Sequence, residues 1–333
     1  MSKIGMIGAG SWGMALARML ANTGHEVSVW TFHTEKLDLY RKTHLYPALD
    51  MRLPESLIFE KDPARLCAGK DLLVTAVPSV NIRATMHRMA PLIPDGQIIV
   101  NVAKGMECET LMTLTEVIED EMKQCGKHAR TVALSGPTHA EEVARDLPST
   151  IVSASLDAEA AAAVQEIFMN PALRVYTNGD LKGVELCGAM KNVIAIASGI
   201  SMGLGFGDNT KAALITRGLA EITRLGLRLG CRRETFAGLA GMGDLIVTAT
   251  SSHSRNNRCG YLIGQGLSAQ EAKEKIGMVV EGINALPAIL KLAARYDTEL
   301  PICSAVDAII YRGADTKETV SALMMRGKKN ESF

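Results

Sequence analysis

Lys3-Ile4-Gly5-Met6-Ile7-Gly8-Ala9-Gly10-Ser11-Trp12-Gly13 opens the chain with a short apolar run that breaks into three glycines spaced G-x-G-x-x-G. The run reads as a strand. The residues from Met14 to Asn22 carry a helical pattern closed by Gly24, and a second apolar run, Val27-Ser28-Val29-Trp30, follows. In that setting the glycines let backbone approach a pyrophosphate, while the start of the helix offers N–H donors and the positive end of its dipole. A bare glycine-rich turn carries no such meaning. Here strand, turn, helix and second strand are in register, and they point to dinucleotide binding at Gly8, Gly10, Ser11, Trp12 and Gly13.

The alternation continues outward through Leu72–Val77, Ile98–Val102 and Thr131–Leu134, with helical patterns between the runs. This predicts an α/β fold: a Rossmann-type, doubly wound parallel sheet with helices on both faces. Gly8, Pro78, Gly105 and Gly136-Pro137 place loops at the carboxyl ends of the strands, where open α/β sheets bind ligands. Beyond about Asp180 only helical spacing remains, as in Leu214, Ile215, Leu219, Ile222 and Leu225, closed by Gly230. The expectation is a dinucleotide-binding domain over 1–180 and an all-α substrate-binding domain over 181–333, with Lys328 to Phe333 a frayed tail. A chain of 333 residues also exceeds what one core serves.

Composition narrows the partners. Lys+Arg and Asp+Glu both number 36, which removes the long-range field of a nucleic-acid or anionic-membrane binder. Aromatic residues make up 4%, too few for single-strand stacking platforms. The seven cysteines are scattered without a C-x-x-C pair and without histidines at matching spacing, so reduced thiols and no metal are expected. No signal peptide is evident, and the apolar stretch near Val193 is interrupted by Lys191, Asn192, Ser198, Ser201 and glycines, so no spanning helix is expected. A cytoplasmic protein acting on small molecules is the consequence.

Three further features carry chemistry. Lys191-Asn192 lies inside the nearly apolar run between Gly188 and Gly207; a buried ammonium there is pushed towards a neutral pKa, the condition for general acid/base work, although most helical lysines are snorkelling surface residues. Gly238-Leu239-Ala240-Gly241-Met242-Gly243-Asp244, with Thr248 and Ser254-Arg255-Asn256-Asn257, combines flexible backbone with groups suited to a sugar-like phosphate, or else is a glycine-rich helix connection capped at Ser254. Lys104 follows the run ending in Val102, at the sheet edge where the nicotinamide end lies in a doubly wound fold. Cofactor choice stays open. The second strand ends Trp30-Thr31-Phe32-His33 without the carboxylate that holds an NAD ribose, and His33 or Lys36 could meet a 2′-phosphate.

In order, Gly8–Gly13, Val77-Pro78-Ser79, Lys104-Gly105, Ser135-Gly136-Pro137 with Ala140-Glu141, Lys191-Asn192, Ala213–Leu219, Gly241–Leu245, Ser254-Arg255-Asn256 and Glu281-Gly282 resemble the NAD(P)-dependent glycerol-3-phosphate dehydrogenase family of bacterial type, over almost the whole chain. The resemblance implies reversible hydride transfer between NAD(P)H and dihydroxyacetone phosphate, giving sn-glycerol 3-phosphate for glycerophospholipid synthesis, by a homodimer. It implies Lys191 as general acid/base, tuned by Lys104 and Asp244. Substrate contacts would come from Lys104, Gly136, Thr138, Lys191, Asn192, Asp244, Thr248, Ser254, Arg255 and Asn256. Cofactor contacts would come from the glycine loop with Phe32, His33, Lys104, Ala140, Arg255, Val279 and Glu281. The chain departs from the family pattern at Thr31-Phe32-His33, Thr138-His139 and Leu45-Tyr46-Pro47. Other hydroxy-acid dehydrogenases share a Lys-Asn pair on a helical domain, and the Ser254-Arg255-Asn256 loop argues against them. Lys104, Lys191 and Asp244 together argue against a non-catalytic sensor.

Overall fold

A computed structural model of the chain describes residues 1–328, 330 and 331; Lys329, Ser332 and Phe333 of the expected tail lie outside the described residues. The chain forms two compact units, Met1–Ala103 with Leu114–Leu181, and Lys104–Thr113 with Lys182–Phe333. A single cut at 180 therefore misses one excursion. Lys104–Thr113 belongs with the helices because Met106 is buried in their core and Lys104 pairs with Asp244.

In the first unit, β1 (Lys3–Ile7), β2 (Glu26–Trp30), β3 (Ile58–Phe59), β4 (Leu72–Thr75), β5 (Gln97–Asn101), β6 (Ala129–Ser135), β7 (Ser149–Ala154) and β8 (Leu173–Asn178) form one sheet in the order β8-β7-β6-β5-β4-β1-β2-β3. The first six strands are parallel, as the alternation predicts. β7 runs antiparallel to β6, and β8 is parallel to β7. Between β6 and β7 the chain holds only the one-turn helix Ala140–Val143, which is too short to carry it back for a parallel crossover.

Ile4, Met6, Val27, Val29, Leu72 and Val74 pack with Met14, Leu16 and Leu20 of the Ser11–Asn22 helix in a wholly buried cluster. Each such side chain contributes about 1.5–3 kcal/mol relative to exposure. Strand succession reverses between β1 and β4, so the loops after these two strands part at a topological switch point, the place where a doubly wound sheet opens for a ligand. The glycine loop is one of those two loops.

The second unit is built on the Leu181–Gly203 helix. By length and composition this helix is apolar enough to cross a membrane, which corrects the expectation that no segment would be; 89% of its most apolar window is buried inside the protein. A helix apolar all round is what the centre of a large core requires. The Arg255–Gly264 helix lies against it at backbone distance, since a Cβ on Gly260 would stand 2.1 Å from the carbonyl oxygen of Ile196. Gly230, at φ +80°, follows the Asp208–Arg228 helix as the predicted left-handed stop.

Candidate active site

In the first unit the three glycines of the loop do different work. Gly8 has φ +118°, and a Cβ there would meet the Ala76 carbonyl oxygen at 2.5 Å; Gly13 would press a Cβ to 2.8 Å from Ala76 Cβ and the Gly8 oxygen. Both are required by the fold. Gly10 is not, because its nearest protein atom would be 3.9 Å away. A glycine that packing does not demand, at the start of the Ser11–Asn22 helix, leaves room for pyrophosphate to reach backbone N–H groups, so the cradle fits a dinucleotide. Tyr46, buried on a small hairpin of Leu45–Tyr46 with Met51–Arg52, donates its hydroxyl to the Ala9 carbonyl at 3.3 Å. It thus braces the loop, a contact that sequence spacing does not reveal.

Past β2, Phe32 is 48% exposed and meets the buried Trp30 edge-on at 4.7 Å. His33 is exposed, with Nδ1 3.5 Å from Glu35. Arg88, from the Ile82–Met89 helix, stands over both rings, 5.4 Å from Trp30 and 5.3 Å from Phe32. After β6, Thr138 donates its hydroxyl to the Gly136 carbonyl at 3.1 Å, and Ala140 begins its short helix. That segment is tied to the Ser11–Asn22 helix by two 2.8 Å bonds between Arg18 and Asp146.

In the second unit Lys191 points from the central helix at Asp244. Its Nζ lies 2.5 Å from Asp244 Oδ1 and 2.6 Å from Thr248 Oγ1, while Lys104 Nζ lies 2.6 Å from Asp244 Oδ2. The glycine run before Asp244 is not a flexible connection. It forms a π-helical turn, Leu239–Gly243, that leads directly into the Asp244–Thr250 helix, and Thr248 stands one turn beyond Asp244 on the same face.

Two ammonium groups share one carboxylate. Burial works against the Asp244 charge, yet Lys104 and Lys191 outweigh it and hold the carboxyl below its usual range. Lys191 has the opposite balance. Burial pushes it down, Asp244 only partly restores it, and Lys104 lowers it further, leaving it at about 7. An ammonium poised near neutrality, on a side chain fixed by two acceptors, can give and take a proton at physiological pH.

Asn192 and Asn256 are used by the protein itself. Asn192 Nδ2 donates to the Gly188 carbonyl at 3.1 Å, its Oδ1 accepts from Asn256 Nδ2 at 3.0 Å, and Asn256 Oδ1 accepts from Gly282 N–H at 2.9 Å. Asn256 thereby links the start of the Arg255–Gly264 helix to that of the Glu281–Arg295 helix. Ser254 caps the former, accepting from Asn257 N–H at 3.2 Å. Arg255 is exposed, and Val279 and Glu281 are half-buried beside Gly282. The structure thus gathers Lys104, Lys191, Asp244 and Thr248 in one cluster and Asn192, Ser254, Arg255 and Asn256 along the next stretch of the same unit. Gly8–Gly13, Phe32, His33, Gly136, Thr138 and Ala140 belong to the other unit. Among the described residues no group of three or more His, Cys, Asp or Glu is placed to hold a metal ion.

Residues 3–161 match the model of the NAD-dependent glycerol-3-phosphate dehydrogenase N-terminus, and residues 180–321 match that of its C-terminus. The chain belongs to the NAD-dependent glycerol-3-phosphate dehydrogenase family. A member from Lactobacillus delbrueckii subsp. bulgaricus, glycerol-3-phosphate dehydrogenase [NAD(P)+] 2, is 61% identical over 334 residues, covering 99% of each chain. The glycerol-3-phosphate dehydrogenase [NAD(P)+] of Agathobacter rectalis is 48% identical over 99% of this chain and 98% of its own. Among solved structures, the glycerol-3-phosphate dehydrogenase of Coxiella burnetii superposes with a TM-score of 0.92 at 36% identity, over 98% of this chain and 99% of that one. The family resemblance read from ordered motifs and the mostly parallel sheet followed by a helical unit are both borne out.

Proposed function

We propose that the chain is an NAD(P)-dependent glycerol-3-phosphate dehydrogenase that interconverts dihydroxyacetone phosphate and sn-glycerol 3-phosphate, with Lys191 as its general acid and base. The observation that carries the reading is the Lys191 ammonium, buried, 2.5 Å from Asp244 and brought to about 7. When bound, the nicotinamide supplies or accepts the hydride. Gly8, Gly10, Ser11, Trp12 and Gly13 would hold the pyrophosphate, with Phe32, His33, Lys104, Ala140, Arg255, Val279 and Glu281 as further cofactor contacts.

In reduction Lys191 Nζ donates a proton to the substrate carbonyl oxygen, and in oxidation the neutral amine takes one from the C2 hydroxyl. Asp244 and Thr248 hold the amine in place for both, and Lys104 limits how strongly Asp244 retains the proton on it. Arg255 offers a forked guanidinium to the substrate phosphate, and Ser254, Asn256, Gly136 and Thr138 are assigned to substrate binding with it. Glycerol 3-phosphate made this way feeds glycerophospholipid synthesis, and the same reading makes the enzyme a cytoplasmic homodimer.

The test follows loss of reduced-nicotinamide absorbance with dihydroxyacetone phosphate and either NADH or NADPH. Lys191→Ala should lose about 10²–10⁴-fold in turnover while still binding dinucleotide. No turnover with either coenzyme in the unaltered protein, or full turnover in the variant, refutes the proposal.

A further inference from the structure

An NAD-selective doubly wound fold ends its second strand with a carboxylate that accepts from the ribose 2′-hydroxyl, whereas an NADP-binding one brings an arginine to the same place. Here β2 ends at Trp30, and the next residues are Thr31, Phe32 and His33. The nearest carboxylate along the chain, Glu35, faces His33 Nδ1 at 3.5 Å. Arg88 comes instead from another element, the Ile82–Met89 helix. Its guanidinium carbon stands 5.3 Å from the Phe32 ring centre and 5.4 Å from that of Trp30. All of these residues lie in the first unit.

The contact has two consequences. A guanidinium held over aromatic rings by cation–π attraction keeps N–H donors for an anion, and its planar fork suits phosphate oxygens. Arg88 is also exposed, and among the described residues no carboxylate lies within ion-pair distance of it. The place where NAD selectivity needs a negative charge thus carries an uncompensated positive one, held by two rings.

We infer that Arg88 is a specificity-determining residue that selects the 2′-phosphorylated dinucleotide, using Phe32 and Trp30 as the platform that aims it. Lys36, exposed on the same connection, adds positive potential without the planar fork. This inference rests on the dinucleotide-binding reading of the glycine loop, and the experiment separates the two.

Calorimetry on the intact protein measures adenosine 2′,5′-bisphosphate against AMP, which differ only in the 2′-phosphate, and NADP⁺ against NAD⁺. The unaltered protein should favour the 2′-phosphorylated member of each pair by about tenfold or more, as a charge-assisted contact implies. Arg88→Met should shrink that ratio about tenfold, and Arg88→Lys, which keeps charge but not the planar fork, should fall between. Arg88→Gln serves in place of Arg88→Met should the latter not fold. An unchanged ratio in Arg88→Met, or a preference for AMP and NAD⁺ in the unaltered protein, overturns the role of Arg88 alone. Failure of all four ligands to bind overturns the dinucleotide reading with it.

Discussion

Replacing Asp244 with Asn keeps the side chain's shape, removes one charge from a cluster in which two ammonium groups share it, and turns one of its two accepting oxygens into an NH₂ that cannot accept from a lysine. Under the mechanism proposed above, the protonated form of Lys191 is the working form in reduction, and Asp244 favours that form. At about 4 Å and an effective dielectric of about 20, one such charge pair is worth about 4 kcal/mol. Allowing about 1 kcal/mol for relaxation around Lys104 leaves about 3 kcal/mol, which is about a hundredfold in the protonated fraction. With Lys191 at about 7 in the unaltered protein, reductive kcat/KM should be level below that pH and fall about tenfold per unit above it. In Asp244→Asn the fall begins at a lower pH. At neutrality reduction is about a hundredfold slower and recovers on acidification, while oxidation, which uses the neutral amine, extends to lower pH. The assay is initial rate against pH in both directions, with dinucleotide binding measured alongside. A profile that keeps its midpoint near 7 and merely drops in height would refute the electrostatic role of Asp244 and leave it a structural one.

Lys191→Met should abolish turnover and remove a pH dependence of stability. Because the folded-state pKa of Lys191 is depressed, its contribution to stability is present above about pH 10.5 and lost as pH falls through about 7, so urea titrations across that window should show a flatter slope in the variant, and an unchanged slope would refute the depressed titration. Glu221 is buried and accepts from the N–H groups of Ile302 and Cys303; burial outweighs those bonds and raises it from 4.5 to about 7. Its contribution is full below about pH 4.5 and lost as pH rises through about 7, so Glu221→Gln should flatten a stability slope worth about 3 kcal/mol across that window. Gly10→Ala should fold with near-normal stability and bind dinucleotide at least about tenfold more weakly, whereas Gly8→Ala, with φ +118° and a carbonyl 2.5 Å from the new Cβ, should fold poorly. Calorimetry and thermal melts separate the pair, and normal binding by Gly10→Ala would sink the pyrophosphate assignment.

The parts of the fold that the sequence reveals are those whose cause is local. β1, the glycine loop and the Ser11–Asn22 helix follow from a buried run, a spacing and a period within a few turns of chain. β7 and β8 escape that reading, since Ser149–Ala154 mixes hydroxyls with apolar residues and Leu173–Asn178, the edge strand beside it, adds a charge. Their orientation is a tertiary matter, set by how far the chain can travel between β6 and β7. The excursion of Lys104–Thr113 into the second unit is equally invisible, because its cause is a carboxylate 140 positions away.

Lys191 could be singled out as a charge inside an apolar helix, but an isolated buried lysine and a paired one read alike in sequence. What makes this one useful is the stoichiometry of its surroundings. One carboxylate serving one ammonium would stabilise the charged form and hold the proton too firmly for transfer, whereas the second ammonium, Lys104, divides that attraction. The result is asymmetric: Asp244, facing two cations, stays ionised, and Lys191, facing half an anion and a hydroxyl in a dry place, sits near neutrality. Removing Lys104 should therefore strengthen the hold of Asp244 on Lys191 and move the reductive pH limit upward, opposite to the effect of removing Asp244. The two variants shift the profile in opposite directions only if the three groups titrate as one cluster, which makes the pair a sharper test of the arrangement than the loss of activity in either.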